Sequence, residues 1–340
     1  MREQCNVRKM TLATTIVLMA LLLGLFTTSE HVRARQGGID YLEHGEQIER
    51  HRAVLEGHAG DSWQYRVLAP YLINIVLRVF EHLHIPHFIA AAFILFRVIQ
   101  DASILLLSYA YHRKLGLSWS HGVIGMALLA WGMSYSHYGS DLQFNTFFDV
   151  IFYLLAGLSI LQKRFVWIVP ITLLAALNRE TSGLIPFLLM FSIFALPEGS
   201  WREVMPFFIA ACVTYVAIFV GLRFLYERQE LLMPDGHHQG LDLLQYNLLR
   251  AITWRQLIAT LSIIPIVAIV GYRKWPLQLR VFFWVIVPIW FIIHAFGAAM
   301  EETRLFLVPQ AMVFIPGALV FLAQQPYALD CASAPLRRSG

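Results

Sequence analysis

Apolar positions fall in long runs broken by short polar turns and by two longer polar stretches. The first run covers 10–26. A polar stretch over about 27–66 follows it at once, and nine further apolar segments come after. A span crossing without tilt needs about twenty apolar residues. The pattern predicts spans near 10–27, 87–110, 119–136, 145–161, 165–177, 183–196, 204–225, 256–272, 279–297 and 303–323. The segments at 165–177 and 183–196 are short for full crossings and are also readable as a hairpin that dips part-way. The second long polar stretch, about 226–255, contains Asp235-Gly236-His237-His238, and its 241–252 part predicts a short surface helix.

Residues 67–83 follow a different rhythm. Asn74, Arg78 and Glu81 recur at helical spacing, while Val67, Leu68, Tyr71, Leu72, Ile75 and Val79 form the opposite face. That pattern predicts an amphipathic helix lying in the interface rather than a span. The first outer loop is then about 28–86.

Composition agrees with this reading. Hydrophobic residues make up 58% of the chain and charged residues 14%. A soluble fold has no means of hiding that much apolar surface, so the expectation is an all-α polytopic membrane protein of about ten transmembrane helices, forming one integral-membrane domain over 1–340. No small-x-small site follows Phe26, so the first segment is expected to stay as an anchor. Cys5, Cys212 and Cys331 lie far apart and imply neither a disulfide framework nor a zinc site.

Charge sets the orientation. If 67–83 does not cross and the N-terminus is cytoplasmic, the inner segments hold Arg2, Arg8, Lys9, Arg113, Lys114, Lys163, Arg164, Arg202, Arg273, Lys274, Arg280, Arg337 and Arg338. The short outer turns hold only Arg179 and Arg304. Basic residues concentrate on the cytoplasmic side, so both termini are expected there. The net charge of +4 therefore belongs to membrane flanks and does not indicate a nucleic-acid partner.

On this topology the outer face gathers the candidate chemistry. Asp40 sits soon after the first span and is either a general base or one of several solvated acids, with Glu43, Glu46, Glu49, Glu56 and Asp61 nearby. Asn178-Arg179-Glu180-Thr181 interrupts apolar sequence on both sides. A charge at membrane depth costs roughly 2.5–3.5 kcal/mol unpaired, so such residues pair with each other or line a cavity. The alternative is a plain turn above the lipid. Arg97 and Asp101, one helical turn apart within a span, are readable as a structural pair or as a cavity lining. Glu301, Glu302 and Arg304 stand at the outer mouth of the last span, as a phosphate-holding group or an interfacial charge cluster. Asp141 and Asp149 complete the outer acidic set. His237 and His238 are adjacent and lack a third partner at ligand spacing, so no metal site is expected.

These elements together resemble the GT-C superfamily of membrane glycosyltransferases. Asp40 matches the position of that superfamily's loop carboxylate. Tyr65-Arg66-Val67-Leu68-Ala69-Pro70-Tyr71-Leu72 looks like the segment before its second span. Glu302-Thr303-Arg304-Leu305-Phe306-Leu307-Val308-Pro309 is similar to the glutamate–arginine–aromatic–proline motif of its lipid-donor mannosyltransferases, and 178–186 resembles a polar break in many bacterial members. The resemblance implies an outward-facing enzyme of the bacterial cytoplasmic membrane. It would move a sugar from a polyprenyl-phosphate donor to a glycan, lipid or protein acceptor and invert the anomeric centre. Asp40 is then the base. Arg66, Arg179 and Arg304 hold the phosphate, Glu180 and Glu302 orient their arginine neighbours, and Asp141 and Asp149 line the substrate site. No cofactor is required. The competing readings are a transporter or lipid flippase, which the absence of a sequence repeat disfavours, and a non-catalytic scaffold of the same fold.

Overall fold

The computed structural model describes residues 2–34, 38–136, 142–196, 201–227 and 236–323. Asp141, Ser140 and Asp235 lie outside the described residues. Among the described residues the chain is helical and has no strand. The helices of its apolar bundle are α1 (Arg2–Arg33), α5 (Phe88–Lys114), α6 (Trp119–Tyr135), α7 (Phe144–Leu161), α8 (Phe165–Ala176), α9 (Glu180–Ala195), α10 (Trp201–Leu225), α12 (Ala251–Leu261), α13 (Ile264–Val270), α14 (Leu277–Gly297) and α15 (Thr303–Ala323). Outside them lie α2 (Ile39–His44), α3 (Glu46–Glu56), α4 (Leu68–His82) and α11 (Leu241–Leu249).

Six of these helices are long and apolar enough to cross a membrane: α1, α5, α7, α10, α14 and α15. The pair α12 and α13 makes a seventh if it is one span, bent by 68° at its break. These are the proportions of an α-helical membrane protein. Every predicted apolar segment is helical, and six of them, or seven with the bent pair, have the length and apolarity of a full crossing, while α6, α8 and α9 fall below it. Length is the reason. At about 1.5 Å per residue, α8 and α9 reach well short of an apolar core about 30 Å thick.

The last helix forms the centre of the bundle. Most of α15 is buried, against α6, α7, α13 and α14. Pro309 and Pro316 lack an N–H, so the carbonyls of Leu305 and Met312 lose their usual helical donors. Two buried aromatic side chains replace them. Trp290 Nε1 donates to Leu305 O at 2.6 Å, and the Tyr111 hydroxyl donates to Met312 O at 2.9 Å. The segment Gln310–Phe314 takes a wider π-helical turn between the two prolines.

The first helix runs farther than its apolar stretch. α1 continues through Arg33 because Thr27, Thr28 and His31 face inward and find partners there. Thr28 Oγ1 donates to Asp101 at 3.1 Å. His31 Nδ1 lies 3.4 Å from Arg97, which can only donate, so this nitrogen accepts. Nε2 therefore carries the proton and donates to Met133 O at 2.7 Å. Arg97 also donates to Gln100 and to Leu142 O, and its guanidinium lies 3.4 Å from the centre of the Phe147 ring. The Arg97–Asp101 pair, 3.7 Å apart, is thus a tie joining α1, α5 and the entrance to α7.

Close approach makes this tie reachable. A Cβ on Gly24 would lie 3.0 Å from Ala102 N and 3.2 Å from Val98 O, so the backbones of α1 and α5 nearly touch. Gly24→Leu is expected to push α1 off α5, break the Thr28–Asp101 bond and cost about 1–3 kcal/mol. A fall in Tm of the purified protein is the readout, and an unchanged Tm contradicts this packing.

The helix predicted at 67–83 forms as α4. Ala69, Ile73 and Leu77 recur every four residues and pack against Phe93 and Ala90 of α5. Tyr71, Leu72, Ile75 and Val79 stay exposed, as an apolar face turned to lipid requires. The second long polar stretch yields α11, where His237 and the backbone N–H of His238 both bond Asp242.

Candidate functional site

The polar break at 178–181 lies inside the fold. Asn178 is fully buried and Arg179 nearly so. A buried turn must find donors for its own carbonyls. Here four carbonyls of the turn, those of Leu177, Arg179, Glu180 and Thr181, are supplied. Leu68 N–H donates to Leu177 O, and Asn178 N–H and Arg179 N–H both return to Ala175 O. Ser182 Oγ donates to Arg179 O, Tyr215 OH to Glu180 O at 2.8 Å, and Tyr153 OH to Thr181 O at 2.6 Å. The turn is therefore fixed from α4, α7 and α10 at once, and its side chains are held by a rigid backbone.

The charges pair differently from their order in sequence. Glu180 was expected to orient Arg179. Instead Arg179 lies 3.4 Å from Asp149 of α7, and Glu180 meets Arg66 at 3.4 Å and Arg223 at 3.7 Å. The cause is the backbone. Arg179 is extended, with φ −165° and ψ 151°, so adjacent side chains leave on opposite sides. Asp149 accepts further bonds from Thr181 at 2.9 Å and Asn178 at 3.0 Å. Arg223 is stacked on Phe219 and Tyr65.

Burial lowers the pKa of Arg179, Asp149 opposes that shift, and the like charges of Arg66 and Arg304 add to it. Arginine stays protonated regardless. Arg66 and Arg304, far apart in sequence, are thus near enough for their charges to act on Arg179. Glu180 is held between two guanidiniums, those of Arg66 and Arg223.

At the mouth of the last span, Arg304 is held by Glu302 at 2.5 Å. Glu301, fully buried, is bonded by Tyr246 at 3.2 Å and Arg250 at 3.1 Å. Thr303 shares a 2.6 Å hydroxyl contact with Thr260.

Beside this cluster is a small, partly open cleft between α3, α4 and the start of α7. Its lining includes Gln47, Arg50, His51, Trp63, Arg66, Gln143 and Asn145. Asn145 O accepts a 2.8 Å bond from Asn178, so the cleft and the charged turn share a wall. Gln143 enters α7 with left-handed backbone, φ 48°, an uncommon conformation that places it on the cleft's lip.

Asp40 stands elsewhere. Its side chain is 84% exposed on α2, and its described partner is His44 at 3.1 Å. The structure joins Arg179 to Asp149 and Glu180 to Arg66, while Arg304 pairs with Glu302. It does not join Asp40 to them by a described contact. Sequence reasoning missed Arg50, Trp63, Tyr153, Tyr215 and Arg223. The two tyrosines were findable, because a hydroxyl inside an apolar span needs a partner.

Burial, assisted by the charge of Arg52, lowers the pKa of His51 from 6.5 to about 4. The folded state keeps this ring neutral, while the unfolded chain protonates it near 6.5. Stability is therefore expected to fall as pH drops from 6.5 to about 4 and to lose this dependence below that window. Comparing Tm against pH for the wild type and His51→Leu checks it; equal slopes contradict a buried neutral His51.

Among the described residues no group of three or more His, Cys, Asp or Glu side chains could hold a metal ion. Compared with protein-family models, with curated proteins and with solved structures, the chain matches none.

Proposed function

We propose that this protein is a membrane glycosyltransferase that moves a sugar from a polyprenyl-phosphate donor to an acceptor at the outer face. The observation that carries this reading is the nearness of Arg66 and Arg304 to Arg179, beside a partly open cleft at the end of the apolar helices. Buried guanidiniums on a fixed backbone suit an anion that develops charge as it leaves. In the proposed step the acceptor oxygen attacks the anomeric carbon and loses its proton to a carboxylate. The bond from that carbon to the phosphate oxygen breaks, and the polyprenyl phosphate departs with the electron pair. Phosphate is a good leaving group, so one base suffices, and the arginines neutralise the product charge.

Asp149 and Glu180 are poor choices for the base because arginines hold both. Asp40 is accessible, and α2 leads through Gly45 into α3, whose Gln47, Arg50 and His51 line the cleft. Asp40 is the base in this proposal. Incubation of the purified protein in lipid nanodiscs with radiolabelled polyprenyl-phosphate sugars tests the function. Label moving to an acceptor fraction supports it, and donor left intact across a panel of sugars and acceptors opposes it.

The outward orientation has its own check. A cysteine at Lys114, on a cysteine-free background, is expected to resist a membrane-impermeant maleimide in intact cells, while one at His58 is expected to react. Labelling at 114 moves the cleft to the inner face and removes this proposal. One observation favours a second reading, a lipid flippase: the 68° break between α12 and α13, since broken helices build transport sites. Movement of the donor between leaflets without sugar transfer would identify it.

A further inference from the structure

The cleft has a charge pattern that the leaving phosphate does not explain. Among the described residues its lining carries two guanidiniums, Arg50 and Arg66, three amides, and no carboxylate. Its one imidazole, His51, is neutral. One indole lies beneath both guanidiniums: Arg50 is 4.3 Å and Arg66 5.4 Å from the centre of the Trp63 ring. Attraction to the ring's π system helps to hold both guanidiniums beside it. Arg50 also meets Glu46 at 3.7 Å, but that carboxylate is 61% exposed on the rim, where an ion pair is weak. Arg66 serves both the cleft and the buried cluster through Glu180, whereas Arg50 belongs to the cleft side. A neutral sugar makes poor use of two fixed cations, because covering them with a ligand removes their water without replacing it by charge.

We propose that this cleft is the acceptor subsite and that the acceptor carries an oxyanion, a phosphate or a carboxylate on a sugar, seated between Arg50 and Arg66. Trp63 holds the two guanidiniums in position for it. The word acceptor rests on the transferase reading; the anion site does not.

The experiment uses the full chain in phosphatidylcholine nanodiscs and saturation-transfer NMR with three probes: glucose 6-phosphate, glucuronate and glucose. Farnesyl phosphate is titrated separately as a stand-in for the donor. At least one charged sugar is expected to bind about tenfold tighter than glucose, and Arg50→Gln and Trp63→Leu are each expected to erase that margin. The better of the two charged probes identifies the oxyanion. Farnesyl phosphate should bind Arg50→Gln as it binds the wild type. Equal binding of glucose and both charged sugars overturns the inference, as does a margin that survives both variants. An equal loss of farnesyl phosphate in Arg50→Gln makes the cleft the donor's phosphate seat; that overturns the acceptor assignment and leaves the transferase reading in place. Charged sugars that bind through Arg50 in a protein blind to farnesyl phosphate uphold the anion site and oppose the transferase.

Discussion

Arg179→Ala is expected to destabilise the protein by about 3–5 kcal/mol and to abolish sugar transfer. Arg179 and Asp149 are both buried, at 8% and 1% side-chain exposure, and lie 3.4 Å apart. Removing the cation leaves a buried carboxylate with only Thr181 and Asn178 to satisfy it. Neither neutralises its charge, and water does not reach it. Arg179→Lys is expected to recover part of the stability, because an ammonium restores the charge but not the planar fork. The double variant Arg179→Leu with Asp149→Leu separates the two roles. Replacing a buried pair by apolar side chains is often neutral or better for stability, so its Tm should return toward wild type while transfer stays lost. Transfer that also recovers would reduce the pair to a structural tie. A wild-type Tm in Arg179→Ala would contradict the burial itself. Glu180→Gln should behave differently from any change at Asp149. It releases Arg66 and Arg223 rather than Arg179, so its effect falls on the wall of the cleft.

The positions of the helices were legible because each apolar run is bounded by polar residues. The α4 helix was legible because Asn74, Arg78 and Glu81 repeat at helical spacing. The 178–181 turn stood out because an arginine and a glutamate interrupt apolar sequence on both sides. Their partners were not legible. Neighbours in sequence suggested neighbours in space, yet the extended backbone at Arg179 sends adjacent side chains apart, to Asp149 on one side and Arg66 on the other. The sequence offered no contrast for Arg50 or Trp63. In a polar loop each resembles any solvated charge or interfacial ring, and only the docking of α3 on α4 makes them one wall of a cleft. The number of full-length spans was less legible for a simpler reason: hydropathy finds apolar segments, but helix length and the 68° break are visible only in the fold.

Asp40→Asn is expected to slow transfer by about 10²–10⁴-fold, the usual share of a general base, with Tm unchanged. The two halves of this expectation have separate causes. Asp40 is 84% exposed and bonded to His44 at 3.1 Å within one helical turn. Exposed pairs of this kind contribute little to stability, so the fold does not register its loss. That contrasts with Arg179→Ala, where activity and Tm fall together. Asparagine keeps the size and the hydrogen-bonding reach of the side chain but cannot take a proton, so donor affinity should also hold while turnover drops. A variant that transfers sugar at the wild-type rate moves the base elsewhere. Glu43 is next, because it shares α2 and is bonded to His87 at 3.0 Å, so its position is fixed. Loss of turnover in Glu43→Gln but not Asp40→Asn shifts the base three residues along the same helix and leaves the arginine cluster in its role. Full turnover in both variants removes α2 from the chemistry, and the proton must then leave through a carboxylate outside this helix.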